Sequence, residues 1–281
     1  GALRSTGISI VIIPISDLDG TLLNSQGYIS DYTIKTINDL VERGMIFTYA
    51  TARSLVSAAP VTKGLTKNLP LIIYNGAFIV NGETGKIIHK NVFNNDQVSL
   101  VKQIMDKYSI KPMVYALVND RERVTIINED LHPGTKHYLN NRKNDYRMNL
   151  TDNGDELYQG DIFYFTIIND KERLEPIYNE LKNYPDYNIT FQQEIYREEY
   201  WLEIMPKSAS KANAILKLKE ILGCDEVISF GDAINDIPMF EISDQCYAME
   251  NAVSKLKEKA TAVIKSNDQD GVAKWLIENY K

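Results

Sequence analysis

Two carboxylates, Asp17 and Asp19, are the first residues in the chain with the types and spacing needed for chemistry. They lie two positions apart, directly after the apolar run Ile8–Ile15, which predicts a strand buried on both faces. Ligands bind at the carboxyl ends of strands in an open α/β sheet. There, one carboxylate can act as a nucleophile and metal ligand while the other transfers protons. The alternative is an ordinary Asp-Gly turn ending at Gly20.

A second polar cluster follows another apolar run, Val227–Phe230. Asp232, Asn235 and Asp236 offer three oxygen-bearing side chains within five positions, and Mg²⁺ prefers oxygen ligands. The alternative is that one of these residues caps a helix. A cap does not explain why both acidic clusters, more than two hundred residues apart, follow apolar strands. Together, the clusters predict one metal site built from distant segments of the chain.

Two further residues have the chemistry to hold an anion. Thr51 follows the apolar stretch Met45–Ala50 and offers a hydroxyl beside the first N–H groups of a predicted helix. Lys211 opens another predicted helix and offers a compact positive charge. Alone, such residues are more often a turn or cap residue and a solvated lysine. The two acidic clusters are what favour a functional interpretation.

Alternating strand and helix patterns predict a doubly wound α/β fold with right-handed crossovers between parallel strands. The pattern gives strands at Ile8–Ile15, Met45–Ala50, Leu71–Tyr74 and Val227–Phe230, and helices at Thr33–Arg43, Leu55–Gly64, Lys211–Leu222 and Val272–Tyr280. Pro14 lacks an N–H group, so we expect a local break in strand pairing there. Gly1–Gly7 are expected to be unstructured.

The pattern changes between about residues 82 and 205. A hairpin signal at Gly82–Gly85 opens this block, which predicts an α+β unit with antiparallel strands. Its polar stretch Asn128–Gln159 is predicted to be a loop with short helical turns. We therefore expect residues 1–81 and 206–281 to form one α/β domain, and residues 82–205 to form a second domain inserted into it.

Composition narrows the classes of function. A chain of 281 residues suits two domains, and its net charge of -7 argues against non-specific nucleic-acid binding. The only cysteines, Cys224 and Cys246, lie far apart, which indicates reduced thiols in a cytoplasmic protein. The apolar run Ile8–Ile15 is too short to span a membrane and has no cleavage signal. We expect neither a nucleic acid nor a membrane as partner.

Five motifs occur in a fixed order along the chain: Asp17-Leu18-Asp19-Gly20-Thr21-Leu22-Leu23, Ala50-Thr51-Ala52-Arg53, Tyr74-Asn75-Gly76-Ala77, Lys211, and Gly231-Asp232-Ala233-Ile234-Asn235-Asp236. Their order and spacing resemble the haloacid dehalogenase superfamily, in particular its Cof-type branch of sugar-phosphate and related phosphatases. The resemblance covers the chain from about Ile8 and extends to Ser266-Asn267 and Asp270-Gly271-Val272. It implies a Rossmann-like core with an inserted cap domain, and a Mg²⁺-dependent phosphatase that forms an aspartyl-phosphate.

The resemblance also implies a role for each matching residue. Asp17 would be the nucleophile and a Mg²⁺ ligand. Asp19 would be the general acid and base, with its backbone carbonyl also on the metal. Asp232 would complete the metal site, and Asp236 would support the metal or Lys211.

The remaining matching residues would contact the substrate. Thr51, Lys211 and Asn235 would bind the phosphoryl group. Arg53, Asn75 and Asn267 are possible contacts to the leaving group or to the surroundings of the phosphate. The cap formed by residues 82–205 would exclude water and contact the leaving group.

The expected substrate is a small phosphorylated metabolite, such as a sugar phosphate, and the expected assembly is a monomer or a weak homodimer. Two alternatives stay open. A phosphomutase of the same superfamily would use the same nucleophile but retain the phosphoryl group. A non-catalytic phosphate-binding regulator of the receiver type would lack both Asp19 as an acid/base and the large inserted block.

Overall fold

A computed structural model describes residues 2–5 and 8–280 of the chain, with side chains from Ile10 onward. The chain divides into two compact units. The first unit contains the chain up to Lys90 and again from Ser210, and the second contains Asn91–Ala209. No helix among the described residues is long and apolar enough to cross a membrane.

The amino-terminal part of the first unit alternates strands and helices. Its elements are β1 (Ala2–Ser5), β2 (Ile8–Ser16), α1 (Asp31–Glu42), β3 (Thr48–Tyr49), α2 (Leu55–Val61), β4 (Leu71–Ile73), β5 (Phe78–Val80) and β6 (Ile87–Lys90). Helix α1 begins where Ser30 accepts a hydrogen bond from the Thr33 N–H group, a typical N-cap. It buries Ile37 and Leu40 on one stripe, as an amphipathic surface helix does.

Strands β4, β5 and β6 form a small antiparallel sheet. The pairing of β5 with β6 joins Phe78 to Lys90, and a tight turn connects the two strands. This hairpin keeps residues up to Lys90 in the first unit, whereas the sequence analysis set the limit near residue 82. The local sequence predicted the hairpin itself. It did not show the pairing of β5 with β4, which places the hairpin in the first unit.

The second unit is an α+β structure. Its elements are α3 (Asn95–Lys107), β7 (Met113–Val118), β8 (Arg121–Ile127), α4 (Pro133–Asn140), β9 (Met148–Thr151), β10 (Asp161–Asn169), α5 (Lys171–Leu181), β11 (Tyr187–Gln193) and β12 (Tyr200–Pro206). The sheet has the order β11-β12-β10-β7-β8-β9, antiparallel except between β8 and β9. Helices α3 and α5 bury Val101 and Leu174 against Phe165 and Leu202 of the sheet.

The polar stretch Asn128–Gln159 is more ordered than predicted, because it contains both α4 and β9. Helix α4 begins with Pro133 at its first position and His132 as its N-cap, which accepts a hydrogen bond from the Gly134 N–H group. Strand β9 lies at the sheet edge, and its residues are half-buried or exposed. Neither element carries the apolar period on which the prediction of a loop depended.

The carboxyl-terminal part of the first unit returns to the α/β pattern. Its elements are α6 (Lys211–Leu222), β13 (Glu226–Gly231), α7 (Ile237–Glu241), β14 (Gln245–Met249), α8 (Ser254–Lys259), β15 (Ala262–Ile264) and α9 (Gly271–Asn279). The main sheet has the order β1-β2-β13-β14-β15, with β3 also paired to β2, and only β1 is antiparallel. The predicted doubly wound α/β fold is confirmed.

One prediction for the first strand was right for one edge only, and another was wrong. Pro14 pairs in register with Ile228 of β13, so the ladder on that edge continues. On the other edge, β1 pairs with β2 as far as Val11 and β3 pairs with β2 from Ile15, so neither strand pairs at Pro14, where the break was expected. Ala2–Ser5 form an antiparallel strand with β2 and are not unstructured. The other residues of that prediction, at positions 1, 6 and 7, lie outside the described residues.

Candidate active site

The register of two neighbouring strands brings the acidic clusters together. Ser16 at the end of β2 pairs with Phe230 of β13, and the Asp17 N–H group donates to the Phe230 carbonyl at 3.0 Å. Both clusters therefore follow the carboxyl ends of adjacent parallel strands. Carboxylate oxygens of Asp17, Asp232 and Asp236 lie within 4.8 Å of one another. Oxygen donors in this arrangement fit a hard cation such as Mg²⁺.

Lys211 lies against this carboxylate cluster at the start of α6, where Ser210 is the N-cap. Its side chain is 2% exposed, and its Nζ lies 2.9 Å from Asp17 Oδ1 and 3.2 Å from Asp236 Oδ1. Burial by itself disfavours the ammonium, but the charges of Asp17 and Asp236 prevail and raise the pKa of Lys211 above its ordinary value. Lys211 is therefore a fixed positive charge beside the candidate nucleophile.

The cluster contains three acidic side chains but one basic side chain, Lys211. Burial, assisted by the charges of Asp236 and Asp232 and opposed by Lys211, raises the pKa of Asp17 to about 8. Burial also raises the pKa of Asp232. These two carboxyls tend to keep a proton in the absence of another positive charge, because burial disfavours the carboxylate and the neighbouring acidic groups add to the effect. A divalent cation would supply the missing charge, which supports the prediction of a metal site.

Asp236 orders the loop after β13. It is fully buried, and its Oδ2 accepts hydrogen bonds from the N–H groups of Asp232 at 3.0 Å and Ala233 at 3.1 Å. Its other oxygen accepts from Lys211. Asn235, in contrast, lies at an exposed position of the same turn. Asp236 thus fixes both Lys211 and the backbone next to Asp232.

Gly20 and Thr21 position the carboxylate of Asp232. Gly20 has a φ of +75°, and a Cβ atom added there would lie 2.0 Å from Asp232 Oδ2. Only glycine fits such a position, because both the backbone conformation and the space exclude a side chain. Thr21 Oγ1 donates to Asp232 Oδ1 at 3.0 Å. The sequence analysis did not assign a role to Thr21, although it belongs to the same motif as Asp17.

Asp19 lies outside the buried cluster and is paired with Arg53. Arg53 donates to both carboxylate oxygens, from Nε and from Nη2, at 2.8 Å each. The side chains are 29% exposed for Arg53 and 59% for Asp19, and Arg53 Nη1 also donates to Ser57 Oγ at 2.8 Å. The hydrogen bond to Asp19 raises the pKa of Arg53. The sequence analysis named both residues but did not pair them.

Thr51 lies in a loop that is tied to the Tyr74–Asn75 turn. Thr51 is buried, and its Oγ1 accepts a hydrogen bond from the Arg53 N–H group at 3.0 Å. The Asn75 N–H group donates to the Thr51 carbonyl at 2.8 Å, and the Tyr74 N–H group donates to the Arg53 carbonyl at 2.9 Å. The structure therefore places Thr51, Arg53 and Asn75 in one hydrogen-bonded group.

The whole-chain comparison agrees with this arrangement. The model of a family described as haloacid dehalogenase-like hydrolase matches residues 15–276, which include every candidate residue. The chain belongs to the haloacid dehalogenase-like hydrolases. It is accordingly an enzyme of the phosphoester hydrolase type.

Similar proteins cover nearly the whole of this haloacid dehalogenase-like hydrolase. A 5-amino-6-(5-phospho-D-ribitylamino)uracil phosphatase of Bacillus subtilis is 28% identical, across 92% of this chain and 95% of the relative. The crystal structure of a haloacid dehalogenase-like hydrolase from Bacteroides thetaiotaomicron has a TM-score of 0.76 and 25% identity, covering 96% and 100% of the two chains. A Thermotoga maritima crystal structure has a TM-score of 0.76 and 27% identity, covering 97% and 98%.

In this haloacid dehalogenase-like hydrolase, the side chain of Asn267 holds the loop that follows Asp19. Its Nδ2 donates to the Leu23 carbonyl at 3.0 Å, and its Oδ1 accepts from the Asp268 N–H group at 3.0 Å. Nearby, Asn251 Nδ2 donates to the Gly20 carbonyl at 2.9 Å. Both ends of the Asn267 amide thus have partners within the protein. Asn251 was missed by the sequence analysis, since no motif includes it.

Proposed function

We propose that this hydrolase removes phosphate from small phosphorylated metabolites with Mg²⁺ as cofactor, through an aspartyl-phosphate on Asp17. The observation that carries the proposal is the burial of Asp17 against Lys211, with Asp232 and Asp236 close enough to share one cation. A carboxylate fixed beside an ammonium at the end of a central strand is suited to attack an anionic phosphate. An exposed, unpaired carboxylate would repel such a substrate.

The side chains of Asp17, Asp232 and Asp236 and the backbone carbonyl of Asp19 would hold the metal ion. When bound, Mg²⁺ neutralises the charge that opposes the approach of a phosphate to Asp17. Lys211 and Thr51 bind the phosphoryl oxygens, and Asn235 lies at the exposed turn from which it can add a further contact.

Two steps follow from this assignment. In the first, an oxygen of Asp17 bonds to phosphorus as the ester P–O bond breaks, and Asp19 gives its proton to the departing oxygen. In the second, Asp19 takes a proton from water as the water oxygen bonds to phosphorus. The Asp17–phosphorus bond then breaks, which releases inorganic phosphate and restores the carboxylate.

The ion pair between Asp19 and Arg53 bears on the first step. Arg53 donates to both oxygens of Asp19, so at least one of these hydrogen bonds must open before that oxygen can carry a proton to the substrate. We assign Arg53 to the leaving group, because its guanidinium becomes available when it releases Asp19. Asn267 contributes by holding the loop after Asp19, since both ends of its amide are already bonded.

The similar Bacillus subtilis phosphatase is named for a phosphorylated ribityl compound. We therefore expect polyol and sugar phosphates among the substrates of this chain, with the second unit, Asn91–Ala209, acting as the cap that selects them. The cysteines, Cys224 and Cys246, are buried and unpaired, which supports the prediction of a cytoplasmic protein.

The test is a phosphate-release screen over sugar, polyol and nucleotide phosphates, with Mg²⁺ or with a chelator. Asp17→Asn should lower the rate by at least about 1,000-fold, because the amide is a poor nucleophile. Asp39→Asn, on the exposed face of α1, is the matched control and should keep the wild-type rate. Activity that survives in Asp17→Asn or without divalent cations would contradict the mechanism. Transfer of the phosphoryl group with little free phosphate would indicate a mutase instead.

A further inference from the structure

The turn formed by Tyr74, Asn75 and Gly76 has an unusual backbone. All three residues have positive φ values, of 48°, 55° and 98°. Residues with a side chain rarely adopt this region, and tyrosine has none of the local hydrogen bonding that helps asparagine there. Strained conformations of this kind persist where the surrounding structure imposes them, and they concentrate at functional sites.

The surroundings of the turn show what imposes this conformation. On one side, the N–H groups of Asn75 and Tyr74 donate to the carbonyls of Thr51 and Arg53, as described above. On the other side, Gly76 lies directly against the start of α6. A Cβ atom added to Gly76 would lie 2.1 Å from the Ser210 carbonyl oxygen and 2.9 Å from the Lys211 backbone nitrogen. The turn therefore packs between two segments, the one that carries Thr51 and the one that carries Lys211.

The side chain of Asn75 is oriented at an energetic cost. Its Oδ1 is buried and has no hydrogen-bond partner. Buried polar atoms almost always have a partner, so an exception in an otherwise bonded region calls for an explanation. The residue Asn75 is half-buried, and of the two polar atoms of its amide only Oδ1 is buried, so Nδ2 is the accessible one. Nδ2 donates to no acceptor among the described residues.

We propose that Asn75 Nδ2 is a third donor to the phosphoryl group, acting between Thr51 and Lys211. The strained turn fixes the amide with its nitrogen toward the phosphate and its oxygen inward. A phosphate oxygen accepts from an amide N–H group and would take the place of water at that nitrogen. The identity of the ligand rests on the proposed function, whereas the geometry of the turn does not.

The first test compares Asn75→Gly with Asn119→Gly. Both asparagines have positive φ values, 55° and 52°, and Asn119 lies in the turn between β7 and β8 of the second unit. Glycine adopts such a φ without strain, so each variant should keep or raise the melting temperature. For the best substrate of the screen, Asn75→Gly should raise KM about tenfold with a smaller change in kcat. Asp39→Asn, the control of the screen, should leave both constants unchanged, and Asn119→Gly, which lies in the proposed cap, is the control for the effect of glycine on stability.

The second test measures the binding of inorganic phosphate directly, by calorimetry in the presence of Mg²⁺. Asn75→Gly should weaken binding about tenfold, and Asn119→Gly should bind as the wild type does. Asn75→Asp keeps the shape of the side chain and tolerates the same backbone conformation, but its carboxylate repels phosphate. It should therefore bind phosphate more weakly than Asn75→Gly does.

Three results would overturn the inference: wild-type phosphate affinity and KM in Asn75→Gly, an equal loss of phosphate affinity in the Asn119→Gly control, or Asn75→Asp binding phosphate as tightly as wild type. Because Asn75→Asp preserves the shape of the turn, it decides the question even if Asn75→Gly folds poorly. Failure of the wild type to release phosphate from any ester would instead overturn the proposed function. The phosphate-binding comparison would still stand in that case.

Discussion

Asp17 and Asp19 are two positions apart in the chain but lie in opposite environments. The side chain of Asp17 is 9% exposed and bonded to Lys211, while the side chain of Asp19 is 59% exposed and paired with Arg53. We call Asp17, Lys211 and Asp236 the buried wall of the site. Asp19 and Arg53 form its accessible rim.

The two environments suit the same type of side chain to two different roles. A buried carboxylate with a fixed ammonium neighbour keeps its position and can attack one atom with a set geometry. A carboxylate at the rim, such as Asp19, can exchange its hydrogen bonds with Arg53 for other partners, and it can exchange protons with solvent. Neighbouring aspartates thus acquire different chemistry from burial and from the cation beside each one.

The largest expected effect comes from removing the cation of the buried wall. Lys211→Met leaves Asp17 and Asp236 buried without their partner, so the free energy of unfolding should fall by about 3–5 kcal/mol. Phosphate release should fall by at least about 1,000-fold. Urea denaturation can follow the first unit through Trp275 fluorescence in a Trp201→Phe background, since the chain has two tryptophans.

Lys217→Met on the same helix is the matched control. The side chain of Lys217 is 38% exposed, and its Nζ lies 3.6 Å from Glu220 Oε1. Its replacement should lower the free energy of unfolding by less than about 1 kcal/mol. Equal losses of stability in the two variants would show that Lys211 is not the centre of a buried charge cluster.

The next largest effect concerns the proton on the carboxyl group of Asp17. The pKa of Asp17 is raised to about 8, so a cation that binds its carboxylate must displace a proton at lower pH. The affinity for Mg²⁺, measured by calorimetry, should therefore weaken by up to about tenfold per unit as the pH falls below 8. Asp19→Asn should keep this dependence, and Asp17→Asn should reduce it to the part that comes from Asp232. An affinity that is constant between pH 6 and 9 would contradict the raised pKa.

The same shift has a consequence for stability in the absence of metal. The unfolded chain releases the Asp17 proton near pH 4, whereas the folded protein keeps it up to about pH 8. Between these values the folded state holds more protons than the unfolded state. The contribution of Asp17 to stability should therefore decrease as the pH rises through this window. Thermal melts of metal-free wild type and Asp17→Asn across the window measure that contribution.

The smallest expected effect lies at the rim. Arg53→Met should change the free energy of unfolding by less than about 1 kcal/mol, because the ion pair is open to solvent on the side of Asp19. Phosphate release should fall by about tenfold, through loss of the proposed leaving-group contact. Arg53→Lys keeps the charge without the two-pronged hydrogen bonding and should give an intermediate rate. If Arg53→Met lowered the free energy of unfolding as much as Lys211→Met does, the contrast between the buried wall and the rim would be wrong.

Local signals in the sequence predicted the elements around the site well. Helix α6 has the predicted limits, Lys211–Leu222, and α1, predicted at Thr33–Arg43, covers Asp31–Glu42. Both helices combine an apolar stripe with a capping residue, and these are properties of adjacent residues. Helix α4 and strand β9 lack such patterns, so their formation depends on contacts within the second unit that the local sequence does not show.

By itself, the sequence determined the chemistry of the site: the carboxylates, the lysine and the threonine, their order, and their places after apolar strands. Side-chain types and local periodicity are enough for those conclusions. Only the tertiary structure decided that Asp17 is buried against Lys211, that Arg53 holds Asp19 from 34 positions away, and that Gly20 makes room for Asp232. These contacts follow from strand register and from the packing of distant segments, and a linear pattern contains neither.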